Sequence, residues 1–282
     1  MKAKILFIGD IVGRTGRHIL SQKLCTIVKE HNIDCVIANA ENAAGGSGLT
    51  PQIYDKLLKY GVNLITLGDH TYRKKEIIPT LESVEDIVRP ANLSPNAAGK
   101  DFAVYHAANG LRIAIVVLIG RIFMKPADCP YARIDQLLAT LDQQADIIVI
   151  DMHAEATSEK LAMGYYLDGK VTAVLGTHTH VATADERILP KGTAYITDVG
   201  MTGGHDSVLG RKTESVIKAF RTQMPFPFEI ATEDVRINGV IVTADSATKS
   251  ADSIERIEVK EDYSESSAYD SDDGKPEYYT GF

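Results

Sequence analysis

Val174-Leu175-Gly176-Thr177-His178-Thr179-His180 is a short apolar run that delivers two histidines just past its end. A buried strand has this composition, and α/β sheets place their chemistry beyond the carboxyl ends of such strands. Neutral imidazoles at i and i+2 off one strand end can converge on adjacent metal ions. A His-x-His alone reads equally well as two histidines hydrogen-bonded in a loop, so the oxygen ligands elsewhere in the chain decide.

Upstream, the chain supplies them in order. Lys4 to Ile8 reads as a buried strand ending in Gly9-Asp10, and Gly13-Arg14-Thr15-Gly16 turns into a helix that Thr15 would cap, running to about Lys29. Gly9, Gly13 and Gly16 do not make the GxGxxG of a dinucleotide loop. Cys35 to Ala38 is the next strand, closing on Asn39-Ala40-Glu41-Asn42 before the flexible Gly45, Gly46 and Gly48. Thr50-Pro51 caps a helix to about Tyr60, with proline in its favoured first turn. Asn63 to Leu67 is the third strand and closes on Gly68-Asp69-His70.

Phe102 to His106 and Arg112 to Ile119 are strand-like around the turn signal Asn109-Gly110, so part of the fold is antiparallel. Gly120 to Tyr131 reads as a long loop. Asp146 to Asp151 is a buried strand ending at Met152-His153, followed by a helix to Tyr166 and then by the opening strand. Beyond it, a strand from Thr193 to Thr197 leads into Asp198 to His205, where Gly203, Gly204 and His205 read as a glycine-rich loop whose backbone N–H groups could contact an anion. Val235 to Ala244, containing Asn238-Gly239, and Ile254 to Val259 read as final hairpin strands.

Collected, Asp10, Glu41, Asn42, Asp69, His153, His178 and His180 come from five strand ends. Two metal ions need about this many ligands, and a carboxylate such as Glu41 can bridge them. Oxygen and nitrogen donors without thiolate suit iron, manganese or zinc at a reactive site better than a structural zinc. His70 stays available as a general acid, work that an imidazole commonly does.

The chain of 282 residues is 44% hydrophobic, enough for one large core. Its net charge of −8 argues against a broad grip on nucleic acid and leaves room for a small anion held by local positive charge. The odd count of three cysteines, without CxxC spacing, fits reduced thiols in the cytoplasm better than a disulfide framework. The apolar run at the N-terminus is broken too early for a signal peptide, and no stretch is long enough to span a bilayer, so no membrane association is expected. The chain divides into a domain over 1–259 and an acidic disordered tail over 260–282, where branched aliphatics disappear.

The ordered blocks Gly-Asp, Asn-Ala-Glu-Asn, Gly-Asp-His, a histidine after an apolar strand, and Gly-Thr-His-Thr-His resemble those of the calcineurin-like metallophosphoesterases, and most closely their YmdB-like branch. The resemblance runs from Met1 to about Val259 and includes Gly120-Arg121-Ile122-Phe123-Met124 and Asp198 to Gly203. It implies a four-layer α/β/β/α sandwich of two mixed sheets flanked by helices, with a centre of two metal ions, iron or manganese first and zinc after them. Asp10, Glu41, Asn42 and His180 would hold one ion, and Glu41, Asp69, His153 and His178 the other. The implied activity is hydrolysis of phosphodiesters, including cyclic nucleotides, with the 2′,3′-cyclic form expected ahead of the 3′,5′-cyclic. Hydroxide formed at the metals would attack phosphorus while His70 protonates the leaving oxygen, and Gly13, Arg14, Gly203, Gly204 and His205 would contact substrate. The chain departs from the family at Asp69, where Gly-Asn-His is usual. Two other readings stand beside this one: a non-catalytic, regulatory metal and nucleotide binder, and a metal-dependent amidohydrolase, which would want its His-x-His early in a barrel chain. A homo-oligomer stays open.

Overall fold

Successive residues of β1 (Lys2–Ile8) point to opposite faces, and both faces are covered. Ile5 and Phe7 enter one buried cluster, whereas Leu6 and Ile8 enter another. The computed structural model describes residues 1–260. In chain order they form β1, β2 (Asp10–Ile11), α1 (Gly13–His31), β3 (Cys35–Asn39), α2 (Pro51–Tyr60), β4 (Leu64–Thr66), α3 (Ile78–Ser83), β5 (Ile87–Val88), β6 (Phe102–His106), β7 (Arg112–Ile119), α4 (Pro130–Gln144), β8 (Ile147–His153), α5 (Thr157–Leu167), β9 (Ala173–Thr177), β10 (Arg187–Ile188), β11 (Ala194–Ile196), β12 (Met201–Gly204), α6 (Thr213–Thr222), β13 (Val235–Asp245) and β14 (Ser250–Lys260).

Two mixed sheets result. One runs β2-β12-β13-β1-β3-β4-β5 with β14 added on β13, and the other runs β10-β11-β9-β8-β7-β6. Ile5, Phe7 and Ile37 from the first sheet pack against Ile113, Ile115, Val149 and Leu175 from the second, forming the middle of the sandwich. Leu20 and Leu24 of α1 and Ile53 and Leu57 of α2 cover the outer face of the first sheet. Ile134 and Leu141 of α4 with Met163 and Leu167 of α5 cover the second. The architecture is the expected α/β/β/α sandwich of open sheets, which removes the barrel that an amidohydrolase would require.

Several local expectations are corrected. Thr15 does not cap α1: the cap is Val12, and the Thr15 hydroxyl donates to the carbonyl of Ala231. Residues 130–144, outside every expected element, form α4, because Pro130 opens it and Ile134, Leu137 and Leu141 repeat at helical spacing toward the core. Gly203 and Gly204 are not in a loop; they pair with Arg236 and Val235 as part of β12, itself held between β2 and β13. Asn238-Gly239 is not a turn but lies inside β13, and the hairpin to β14 closes after Asp245. The tail expected over 260–282 lies outside the described residues except for Lys260, which ends β14. Among the described residues, no helix is long and apolar enough to cross a membrane.

Candidate metal centre

The carboxyl ends of both sheets converge on one point, and each sheet contributes its own chemistry. Asp10, Glu41, Asn42, Asp69 and His70 follow strands of the first sheet, whereas His153, His178 and His180 end or follow β8 and β9 of the second. Oxygen donors therefore face imidazoles across the sandwich.

One ligand atom each from Glu41, Asp69, His153 and His178 lies within 4.8 Å of the others. His153 Nε2 is 3.2 Å from Glu41 Oε1, 3.4 Å from Asp69 Oδ1 and 3.1 Å from His178 Nδ1. A Cβ on Gly68 would collide with Glu41 Oε2 and His153 Nε2, so only glycine lets this backbone pass beside the cluster. Beside it, Asp10 is fully buried, and its Oδ1 has no hydrogen-bond partner, with His180 Nε2 3.8 Å away. A buried carboxylate oxygen left without a donor is costly unless a cation takes the place. Asn42 Nδ2 donates to His180 Nε2 and to Glu41 Oε1, so its N–H groups sit against two of the lone pairs that a second cation would use. A half-turn of that amide would bring Oδ1 to the same place. The donor set fits two cations, one among Glu41, Asp69, His153 and His178 and one among Asp10, Glu41, Asn42 and His180.

The acidity of the cluster follows from the same crowding. Burial pushes the Asp10 carboxyl well above the usual carboxylate range. Burial also acts to raise Glu41, but the neighbouring positive charges of His153 and His70 prevail and hold it at about 2. His153 runs opposite: burial acts to lower it, yet Glu41 and Asp69 bring it well above an ordinary histidine. Burial and the His153 charge together push His178 down to about 4. Anionic oxygens thus demand a positive charge in their midst, and a proton on His153 meets that demand when nothing stronger is present.

Two groups hidden in the strands set the ring orientations. Thr177 Oγ1 donates to Asp151 Oδ1 at 2.6 Å, which leaves its oxygen to accept from His153 Nδ1 at 2.8 Å. The Nδ1–H is thereby fixed, and the lone pair of Nε2 faces the cluster. Asp151 also accepts from Thr66 at 2.6 Å and Asn39 at 3.3 Å, tying the two sheets beneath the centre. His180 is oriented similarly, with Nδ1 donating to the Leu209 carbonyl at 3.1 Å. His178 and His180 both adopt left-handed backbone, with φ of 96° and 63°. Such strain in non-glycine residues persists only where the surroundings impose it. Asp198 imposes it, accepting from the Thr179 N–H at 3.1 Å and the Thr179 hydroxyl at 2.7 Å. The sequence reading named Asp151, Thr177 and Asp198 only as parts of strands, loops or family blocks and gave none of them this supporting role.

His70 stands at the rim. Its Nδ1 is 2.8 Å from Asn42 Oδ1, and its Nε2 is 3.6 Å from Asp69 Oδ2. The centre opens into a cavity of about 540 Å³ whose lining includes His70, Arg73, Glu155, His178 and His180. Gly13, Arg14, Gly203, Gly204 and His205 do not line it. The Gly13 N–H donates to Asn42 O, Arg14 lies in the first turn of α1, Gly203 and Gly204 are inside β12, and the His205 ring contacts Gly203 O and Asn238.

The sequence model of a family described as YmdB-like protein matches residues 6–257. The chain belongs to the YmdB-like family. A 2′,3′-cyclic-nucleotide 2′-phosphodiesterase of Bacillus subtilis is 47% identical over 260 residues, covering 92% of this chain and 98% of that one. Two solved structures are also similar. One is a hypothetical protein of Thermus thermophilus, 41% identical with a TM-score of 0.86, covering 92% of this chain and all of that one. The other, described as a novel phosphatase of Mycoplasma pneumoniae, is 37% identical with a TM-score of 0.86, covering 93% and 95%. The YmdB-like match thus spans both sheets and every strand end that feeds the centre.

Proposed function

We propose that this chain is a two-metal phosphodiesterase that opens 2′,3′-cyclic nucleotides at the 2′ ester, leaving the 3′-monophosphate. The observation that carries the reading is the orphaned Asp10 Oδ1 beside the Glu41, Asp69, His153 and His178 cluster, in a chain so similar to a phosphodiesterase of that name. The donor set of imidazole nitrogen with carboxylate and amide oxygen favours iron or manganese, with zinc after them.

When bound, such cations lower the pKa of a coordinated water and neutralise phosphoryl charge. The chain's own contribution is orientation and proton transfer. Glu41, with one oxygen toward His153 and the other accepting from the His70 backbone N–H at 3.1 Å, would serve both positions. Asp151 and Thr177 hold His153 with its lone pair inward, and Leu209 does the same for His180. With the Asn42 amide turned so that Oδ1 faces the second cation, its Nδ2 would donate to His70 Nδ1, leaving the Nε2 proton at the rim for the leaving 2′ oxygen. Cys25, Cys35 and Cys129 are all free, which supports a reducing, cytoplasmic setting.

Incubating the manganese-loaded protein with 2′,3′-cyclic AMP and separating the products tests the reading. The expected product is adenosine 3′-monophosphate. Failure to consume the diester, or release of the 2′-monophosphate alone, would contradict it.

A further inference from the structure

The cavity above the centre is larger than a phosphate requires, and part of its lining is apolar. Val208, Leu209, Val216, Phe220 and Phe228 line it together with His70, His178 and His180. Val216 and Phe220 are four residues apart on α6, so they lie on one helical face; Val216 and Phe228 are buried in one small cluster with Ala219, while Phe220 stands 58% exposed. This wall is bolted to the centre at two points. The Leu209 carbonyl accepts from His180, and the Arg211 guanidinium donates to Gly45 O, Gly46 O and Phe228 O, joining the loop after Asn42 to the segment that carries Phe228. An aromatic ring left half in solvent at the edge of a cavity, over a fixed apolar floor and across from phosphate chemistry, is suited to take a flat aromatic group.

We propose that Phe220, backed by Val216 and Phe228, is the platform on which the base of the nucleotide stacks. This rests on the phosphodiesterase reading and adds to it the part of the substrate that the metal ligands do not address. Stacking is equal in the bound and reacting states, so it acts on KM and leaves kcat nearly unchanged. Because every base has a flat π-face, adenine and uracil should both benefit, purines more.

The test compares 2′,3′-cyclic AMP with 1-O-methylribose 2′,3′-cyclic phosphate, which has the same reacting ring and no base, in the manganese-loaded parent and in Phe220→Ala and Phe220→Trp. Loss of one stacking partner lowers binding by about 5- to 150-fold, and a half-exposed ring belongs near the lower end, about tenfold. Phe220→Ala should raise KM for the nucleotide about tenfold while leaving the base-free diester unaffected, and Phe220→Trp should restore the nucleotide. Equal kinetics of parent and Phe220→Ala on the nucleotide, or an equal loss on both diesters, would overturn the platform. A parent inactive on both diesters would instead overturn the phosphodiesterase reading.

Discussion

Lys160 and Asp198, both buried, meet at 2.6 Å behind the turn that carries His178 and His180. The same Asp198 oxygen accepts both hydrogen bonds from Thr179, so the ion pair holds the residue between the two histidines. Removing one partner of such a pair leaves an uncompensated charge in the interior, at about 3–5 kcal/mol. Lys160→Met should lose stability on that scale in a denaturant titration and release metal more readily to a chelator. Unchanged stability and metal retention would mean that the turn is held by other contacts.

With His70 proposed for proton transfer at the rim, His70→Ala should retain both metals and lose about 10²- to 10⁴-fold in turnover. The loss should be smaller for a diester with a nitrophenolate leaving group, which needs little protonation. Equal losses on good and poor leaving groups would assign His70 to binding.

The two proposed metal positions would share Glu41, and His180 would belong to only one of them. Glu41→Ala should lower occupancy at both, whereas His180→Ala should empty mainly the position shared with Asp10. Elemental analysis after dialysis measures this, and two tightly held ions per chain in Glu41→Ala would remove its bridging role.

Most of the strand ends were legible because each ligand follows an apolar run directly, and β6 and β7 occupy the very residues expected, around the Asn109-Gly110 turn. What was not legible is mainly what sits behind the ligands. Asp151 lies in an otherwise apolar run and Lys160 in an ordinary helix, and neither pattern reveals its buried partners, Thr66 and Asn39 across the sandwich for the one and Asp198 beyond β11 for the other. The glycines of β12 were read as a loop because strands are poor in glycine, yet they pair as a strand, and Gly204 approaches the Ala231 backbone too closely for a side chain. Asn238-Gly239 reads locally as a turn, but the Gly9 N–H bonds to Asn238 O and β13 continues straight through. In each case a distant contact overrides a local signal.

Asp69 adds a third carboxylate to Asp10 and Glu41, so in the proposed centre two divalent ions would face three negative charges, where Asn would leave two. Its Oδ1 lies 3.4 Å from His153 Nε2 and its Oδ2 3.6 Å from His70 Nε2. Burial acts to raise its pKa, but the hydrogen bond from His153 and the charge of His70 hold the carboxyl well below the usual range. Asp69→Asn should therefore shed metal faster to a chelator and, when saturated with manganese, bind anionic diesters with a lower KM. Equal metal retention and equal kinetics would take Asp69 out of the ligand set.

The central claim is that two cations, held between the carboxylates of one sheet and the imidazoles of the other, are required for diester hydrolysis. Titrating manganese into metal-stripped protein while following 2′,3′-cyclic AMP tests it most directly. Hydrolysis should be absent at the start and should climb to a plateau at two ions per chain. Full hydrolysis by the stripped protein in excess chelator, or a plateau at one ion, would contradict the account.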